Sequence, residues 1–340
     1  MSLRPSAGCL QQPLRMNYGR DLRPSAAHPP RRPHPRETLA YLGARPRVAR
    51  FRHFLAIDWS GAAGERHKGI ALALAHAGGG PPVLVEPGRG WSREDVLAIL
   101  REDLPPDTLV GLDLGISLPF ADCGAFFPGL ATSPPDARSL WAMVDEVCAD
   151  DPHLGATSFV DHTELSAYFR RHGGREGGRF RCDDAGHGRG RFRVTEHAQA
   201  RQGCKPYSNF NLVGAAQVGK SSLTGMRLLH RLQGALPAWP VDPLPKAGSV
   251  LVEIYTSLAA LEAQRSAARS KIRTVADLGR ALAALGSPPV AGEGAIDDHS
   301  SDALLAAAWL RKVADDPARW YPRTLTSEIA RTEGWTFGAV

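Results

Sequence analysis

The sequence predicts an α/β domain in which helices cover a mixed sheet. Three observations lead there. Runs at 53–58, 68–76 and 82–87 follow one another closely, as the strands of a meander do. The run at 108–113 is almost continuously apolar, the pattern of a strand buried on both faces. Beyond it, strand-like and helix-like periods alternate, which lays helices against the sheet.

Residues 53–58 read as the first strand, 68–76 as the second and 82–87 as the third, with Gly78-Gly79-Gly80 as a turn between the last two. Ser92 is placed to cap a helix over 93–102, with Asp95 as its capping-box partner. Pro105-Pro106 ends that helix before the fourth strand at 108–113. From about 119 to 245 the pattern changes. Helices are predicted at 136–149 and 162–171, followed by a Gly/Arg-rich stretch at 173–190 and a segment ending at 227–232. This is too long for a plain loop and reads as a large insertion, a lid or subdomain. A fifth strand at 249–254 resumes the sheet. Helices follow at about 256–269, 274–285 and 298–314, and Glu333–Gly338 reads as a terminal edge segment.

The 340 residues carry a net charge of +6, placed unevenly. Residues 1–53 hold eleven arginines against two acids, a net +9, so the rest of the chain carries −3. The first 50 residues therefore read as a disordered Arg/Pro-rich tail able to meet phosphates, and 51–340 as the folded domain. No apolar run approaches the ~20 residues of a membrane span. Five scattered cysteines without a Cys-x-x-Cys pair fit a reducing cytoplasm better than a disulfide framework.

Wide-spaced acids at the ends of apolar runs mark the candidate site. Asp58 ends the first strand, Asp113 the fourth, and Glu253 follows Val250-Leu251-Val252. Asp298 and Asp302 lie four apart on one face of the last long helix, with His299 bordering it. Carboxylates at buried strand ends are costly unless paired or holding a metal. In open α/β sheets, sites form beyond the carboxyl ends of the strands. A converging set of this kind suits hard divalent cations.

These landmarks resemble, in order, domain-of-unknown-function family 429. They are Ile57-Asp58-Trp59-Ser60-Gly61-Ala62, Gly111-Leu112-Asp113-Leu114-Gly115-Ile116-Ser117-Leu118-Pro119, Val252-Glu253-Ile254-Tyr255, Asp298-His299-Ser300-Ser301-Asp302-Ala303-Leu304 and Glu333-Gly334-Trp335-Thr336-Phe337-Gly338. The resemblance covers roughly 53–340. It implies an RNase H-like fold, a mixed five-stranded sheet whose first three strands are antiparallel, and a predicted nuclease activity on DNA or RNA. It further implies a Mg²⁺ or Mn²⁺ site held by Asp58, Asp113, Asp298 and Asp302, with Asp58 between two ions. Asp58, Asp113, Glu253 and Asp302 are then the catalytic candidates, although a fifth-strand acid such as Glu253 is not a standard ligand in that arrangement. Lys220, Gln217 and Ser60 are the candidates for binding substrate. A non-catalytic nucleic-acid or protein-binding module on the same fold is the alternative.

Other motifs compete. Residues 214–221 match G-x-x-x-x-G-K-[ST] letter for letter. The run before them is short and polar at Asn209 and Asn211, and Gly225 falls within the first two turns of the helix expected after them, so a working P-loop is not expected. An actin-like ATPase would need a duplicated domain, for which the chain is short. Cys182, His187, His197 and Cys204 match no standard zinc spacing. The arginines around them read as a mobile basic loop contacting nucleic acid, with Phe180, Phe192 and Tyr207 available to stack on bases.

Overall fold

A computed structural model describes residues 50–181, 189–213, 217–265 and 271–340. The expected tail, part of the basic loop and Gly214–Ala216 of the P-loop-like stretch lie outside the described residues. The elements in chain order are β1 (His53–Asp58), β2 (Ala71–His76), β3 (Val83–Val85), α1 (Arg93–Ala98), β4 (Thr108–Asp113), α2 (Ala137–Val147), α3 (Thr157–Asp161), α4 (Val194–Arg201) and α5 (Val218–Arg231). After these come β5 (Ala238–Trp239), β6 (Val250–Glu253), α6 (Thr256–Glu262), α7 (Val275–Ala284), α8 (Asp298–Val313), α9 (Pro317–Trp320) and α10 (Ser327–Thr332).

The six strands form one mixed sheet in the order β3-β2-β1-β4-β6-β5. The first three are antiparallel to one another, while β4 runs parallel to β1, and β6 parallel to both β4 and β5. The sheet thus has one strand more than the five expected. The extra one, β5, is two residues long between Pro237 and Pro240, too short to leave a period in the sequence.

Alternation along the strands divides the core into two layers. Phe54, Ala56, Ala73, Leu109, Val250 and Val252 face one side, where α6, α7 and α8 pack. Leu55, Ile57, Leu72, Val110, Leu112 and Leu251 face the other, against α1, α2 and α5. The α8 side is paved with small residues, Ala56, Ala71, Ala73 and Ala75, which let that helix lie close. Gly111 belongs to the same paving: a Cβ there would come within 2.7 Å of Leu310 on α8.

Caps follow the predicted chemistry. Ser92 and Asp95 form the capping box of α1, and Asp136 caps α2. The helix expected at 162–171 is instead α3 and a 3₁₀ turn at Leu165–Tyr168. Phe159, Leu165, Tyr168 and Phe169 are all buried around Phe127 and Phe210, and Arg170 is drawn into extended bridges with Glu176 and Asn211. The last segment is interior, not edge. Trp335 and Phe337 are fully buried, Thr336 bridges Glu253, and the Phe337 N–H donates to the Glu253 carbonyl at 2.8 Å. Among the described residues no helix is long and apolar enough to cross a membrane.

Candidate functional site

Asp58 and Asp113 are register partners on the parallel strands β1 and β4. Neighbouring strands lie ~4.8 Å apart, and residues in register send their side chains to the same face. That face is the one α8 covers. Asp302, one turn into α8, completes an acidic group: its charge and that of Asp58 both act on Asp113. Burial and then the Asp58 charge push the Asp113 carboxyl well above the usual carboxylate range. Burial, then Asp58 and Asp298, push Asp302 up to about 7. Burial also raises Asp58, opposed by a hydrogen bond from His299.

Two groups offset this charge. The Nδ1 of His299 lies 2.6 Å from Asp58 Oδ2, and that bond lifts the imidazole above its ordinary value. The Thr256 hydroxyl, at the start of α6, donates to Asp113. Asp297 is occupied as the N-cap of α8, accepting from the Ser300 N–H at 2.9 Å. Asp298, expected with the metal ligands, turns outward to the Lys271 ammonium at 2.5 Å, which holds its carboxyl below the usual range.

Glu253 departs from expectation more sharply. In the ladder it pairs with Leu112, not Asp113, so the period of two sends its side chain to the opposite face from Asp58 and Asp113. There it is buried and fully engaged. Arg193 donates to both of its oxygens at 2.6 and 2.8 Å, the Ile116 N–H donates at 2.8 Å, and the Thr336 hydroxyl donates as well. Arg193 also binds Glu196 at 2.7 Å and the Glu333 carbonyl at 3.0 Å. Burial pushes the Glu196 carboxyl up to about 7 even though Arg193 opposes it. The Glu333 carboxylate accepts from the N–H groups of Phe120, Ala121 and Val194. Glu253 therefore belongs to a buried ionic cluster built around an arginine from the 119–245 segment, and Arg193, Glu196 and Glu253 all line the cleft at the carboxyl ends of β1 and β4. Arg193, expected in a mobile basic loop, is buried, as is Arg191; Glu196 was not singled out, and the i, i+3 spacing of Arg193 and Glu196 was the available signal.

The carboxyl ends of β1 and β4 open into a cleft of about 590 Å³. Asp58, Asp113 and His299 line it, as do the expected substrate residues Ser60, Gln217 and Lys220. The loop after Asp58 is fastened from below. The buried Arg93 guanidinium donates to the carbonyls of Ser60 and Ala62 and, at 2.6 Å, to that of His153. Trp59 Nε1 donates to Thr224 on α5 at 3.0 Å. Gly61 lets the first turn of α5 close on this loop, since a Cβ there would lie 2.3 Å from the Lys220 carbonyl carbon. Lys220 thereby reaches the cleft, and its ammonium makes no ion pair among the described residues. Helix α5 runs unbroken through Gly225, but among the described residues the segment before it makes a single bridge, Asn211 with Arg170, where a P-loop needs a buried strand.

Of the aromatics in the basic stretch, Phe180 and Phe192 are buried, at 1% and 5% exposure, and cannot stack on a ligand. Tyr207 is exposed and lines the cleft. Cys182 and His187 lie outside the described residues. The donor set suits a hard divalent cation in its chemistry, with oxygen ligands and three carboxylates facing one imidazole. As the side chains stand, no group of three or more His, Cys, Asp or Glu is gathered to hold a metal ion among the described residues. The chain matches no family model, no curated protein and no solved structure.

Proposed function

We propose that the chain is a metal-dependent nuclease of RNase H-like fold, of the kind expected for domain-of-unknown-function family 429. One observation carries this: Asp58 and Asp113, in register on neighbouring strands, line one cleft, and the charge of Asp302 on the covering helix acts on Asp113. The antiparallel first three strands and the parallel fourth support the fold half of the reading.

Asp58, Asp113 and Asp302 are the residues that would hold Mg²⁺ or Mn²⁺, and the bound ion would supply Lewis acidity toward a phosphodiester. The protein's own groups do the rest. His299 keeps Asp58 hydrogen-bonded and partly neutralised. Lys220, across the cleft from the carboxylates' strands, supplies positive charge for a phosphate, with Ser60 and Gln217 as polar neighbours.

The test is cleavage of single-stranded, duplex and branched DNA and RNA in Mg²⁺ or Mn²⁺, together with the metal-induced shift in Tm. Wild type should cleave, and Asp58→Asn should lose most activity while keeping the fold, because it removes charge from the ion site without changing shape. The second reading is a non-catalytic nucleic-acid-binding module. The absence of a ready-made three-donor group among the described residues favours it. No cleavage and no metal-dependent change in Tm would decide for that module.

A further inference from the structure

We propose that the cleft receives an unpaired nucleotide, with Tyr207 and Arg189 stacking its base at the rim, so that the substrate class is single-stranded nucleic acid. This deepens the nucleic-acid reading above and rests on it.

Tyr207 is the aromatic member of the exposed large apolar side chains, Val83, Tyr207 and Val340, among the described residues. Tyr207 is 42% exposed at the wall of the cleft, so a base can reach its ring. The Arg189 guanidinium sits 5.4 Å from its ring centroid and is steadied by an Nη1 bond to the Pro206 carbonyl at 3.1 Å. An aromatic ring beside a guanidinium is a stacking platform for a base, and it tolerates any base because each has a π-face.

Tyr207 lines the same cleft as Tyr255, Asp58 and Asp113. Lys220 supplies the cation a neighbouring phosphate needs. Base platform, phosphate cation and carboxylates thus line a single cleft of about 590 Å³. A base inside a duplex has both faces covered by its neighbours. It reaches Tyr207 only after unstacking, which costs free energy. A single strand pays nothing of the kind.

The experiment is a binding assay without cleavage. Fluorescein-labelled single strands of ~10 nucleotides, one DNA and one RNA, and a duplex of the same length are titrated in EDTA. The full-length wild type, Tyr207→Ala and Tyr207→Phe are compared by anisotropy. The Arg-rich N-terminal residues are common to all three proteins, and their sequence-independent phosphate binding is suppressed by running the titrations at raised salt. Wild type should bind single strands more tightly than duplex. Tyr207→Ala should weaken single-strand binding roughly tenfold or more, and Tyr207→Phe should retain it. The DNA and RNA arms show which sugar is preferred, and tight binding of either single strand supports the proposal. Equal affinity for duplex, no single-strand binding by wild type, or an unchanged Tyr207→Ala variant would overturn it. Tyr207-dependent binding without cleavage in Mg²⁺ would sink the nuclease reading alone. Undiminished cleavage and binding by Tyr207→Ala would sink the stacking platform alone.

Discussion

Glu253 stands beside Leu112 in the parallel ladder, one position out of step with Asp113, and its carboxylate leaves the sheet on the other face. Its task is to neutralise Arg193. Glu253→Ala should therefore lower stability by about 3 kcal/mol, the low end for breaking a buried pair, because Glu196 still holds the guanidinium. Urea unfolding measures this. A variant as stable as wild type that had lost its response to Mg²⁺ would instead return Glu253 to the ion site.

Asp302 should make the metal-free protein less stable as pH rises. Its folded value of about 7 lies above the ordinary 3.8, so the folded state holds the proton more tightly than the unfolded one. The favourable contribution is complete below about pH 4 and disappears by about pH 7, on the order of 4 kcal/mol in all. His299 has the same sign: raised by Asp58, its contribution is present below the ordinary 6.5 and lost as pH climbs through its folded value. Asp302→Asn should flatten the decline between pH 4 and 7 and melt higher than wild type at pH 7 in EDTA. Equal slopes for the two proteins would show that Asp302 is not the group responsible.

Gly61→Ala should destabilise by about 1–3 kcal/mol, the usual cost of forcing a methyl group into a packed site. The new Cβ would meet backbone atoms of Lys220 and Ser221 at 2.3 and 2.4 Å, and backbone cannot swing aside as a side chain can. Because the first turn of α5 must retreat, nucleic-acid binding should weaken as well. Thermal unfolding and the anisotropy titration together check this, and a variant unchanged in both would mean that α5 does not seat on the Asp58 loop.

Arg93→Lys should cost at least ~2 kcal/mol despite keeping the charge. One ammonium cannot serve the Ser60, Ala62 and His153 carbonyls at once, and buried acceptors left without donors are penalised. Calorimetric unfolding at neutral pH gives the difference directly. A lysine variant matching wild type would assign the support of this loop to Trp59 and Thr224 instead.

Much of the fold was legible because its strands are short and unmixed. The bounds of β1 and β4 follow from apolar runs ending in Asp58 and Asp113, and the register of these two acids follows from the same pattern. The pairing of Glu253 with Arg193 was not legible, because the residue following an apolar run looks alike whichever face it takes. Only the register against β4 separates the two outcomes, and register is a long-range property. Strand β5 is too short to show any period. The turn of Asp298 toward Lys271 joins residues from different elements, which no local pattern encodes. Tyr207 and the two buried phenylalanines share one kind of neighbourhood in sequence, and tertiary packing alone distinguishes them.

The Arg193 cluster also governs how the molecule can be taken apart. The segment between β4 and β6 begins by donating the Phe120 and Ala121 N–H groups to Glu333 and later lends Arg193 to both Glu253 and the Glu333 carbonyl. It is not a cassette. Cut out and rejoined across its ends, it would strand two carboxylates, one from the sheet and one from the C-terminal region, in the interior of what remained. Grafting or recombination at this boundary would have to bring a buried cation of its own, so the segment and the sheet can be exchanged between proteins only together.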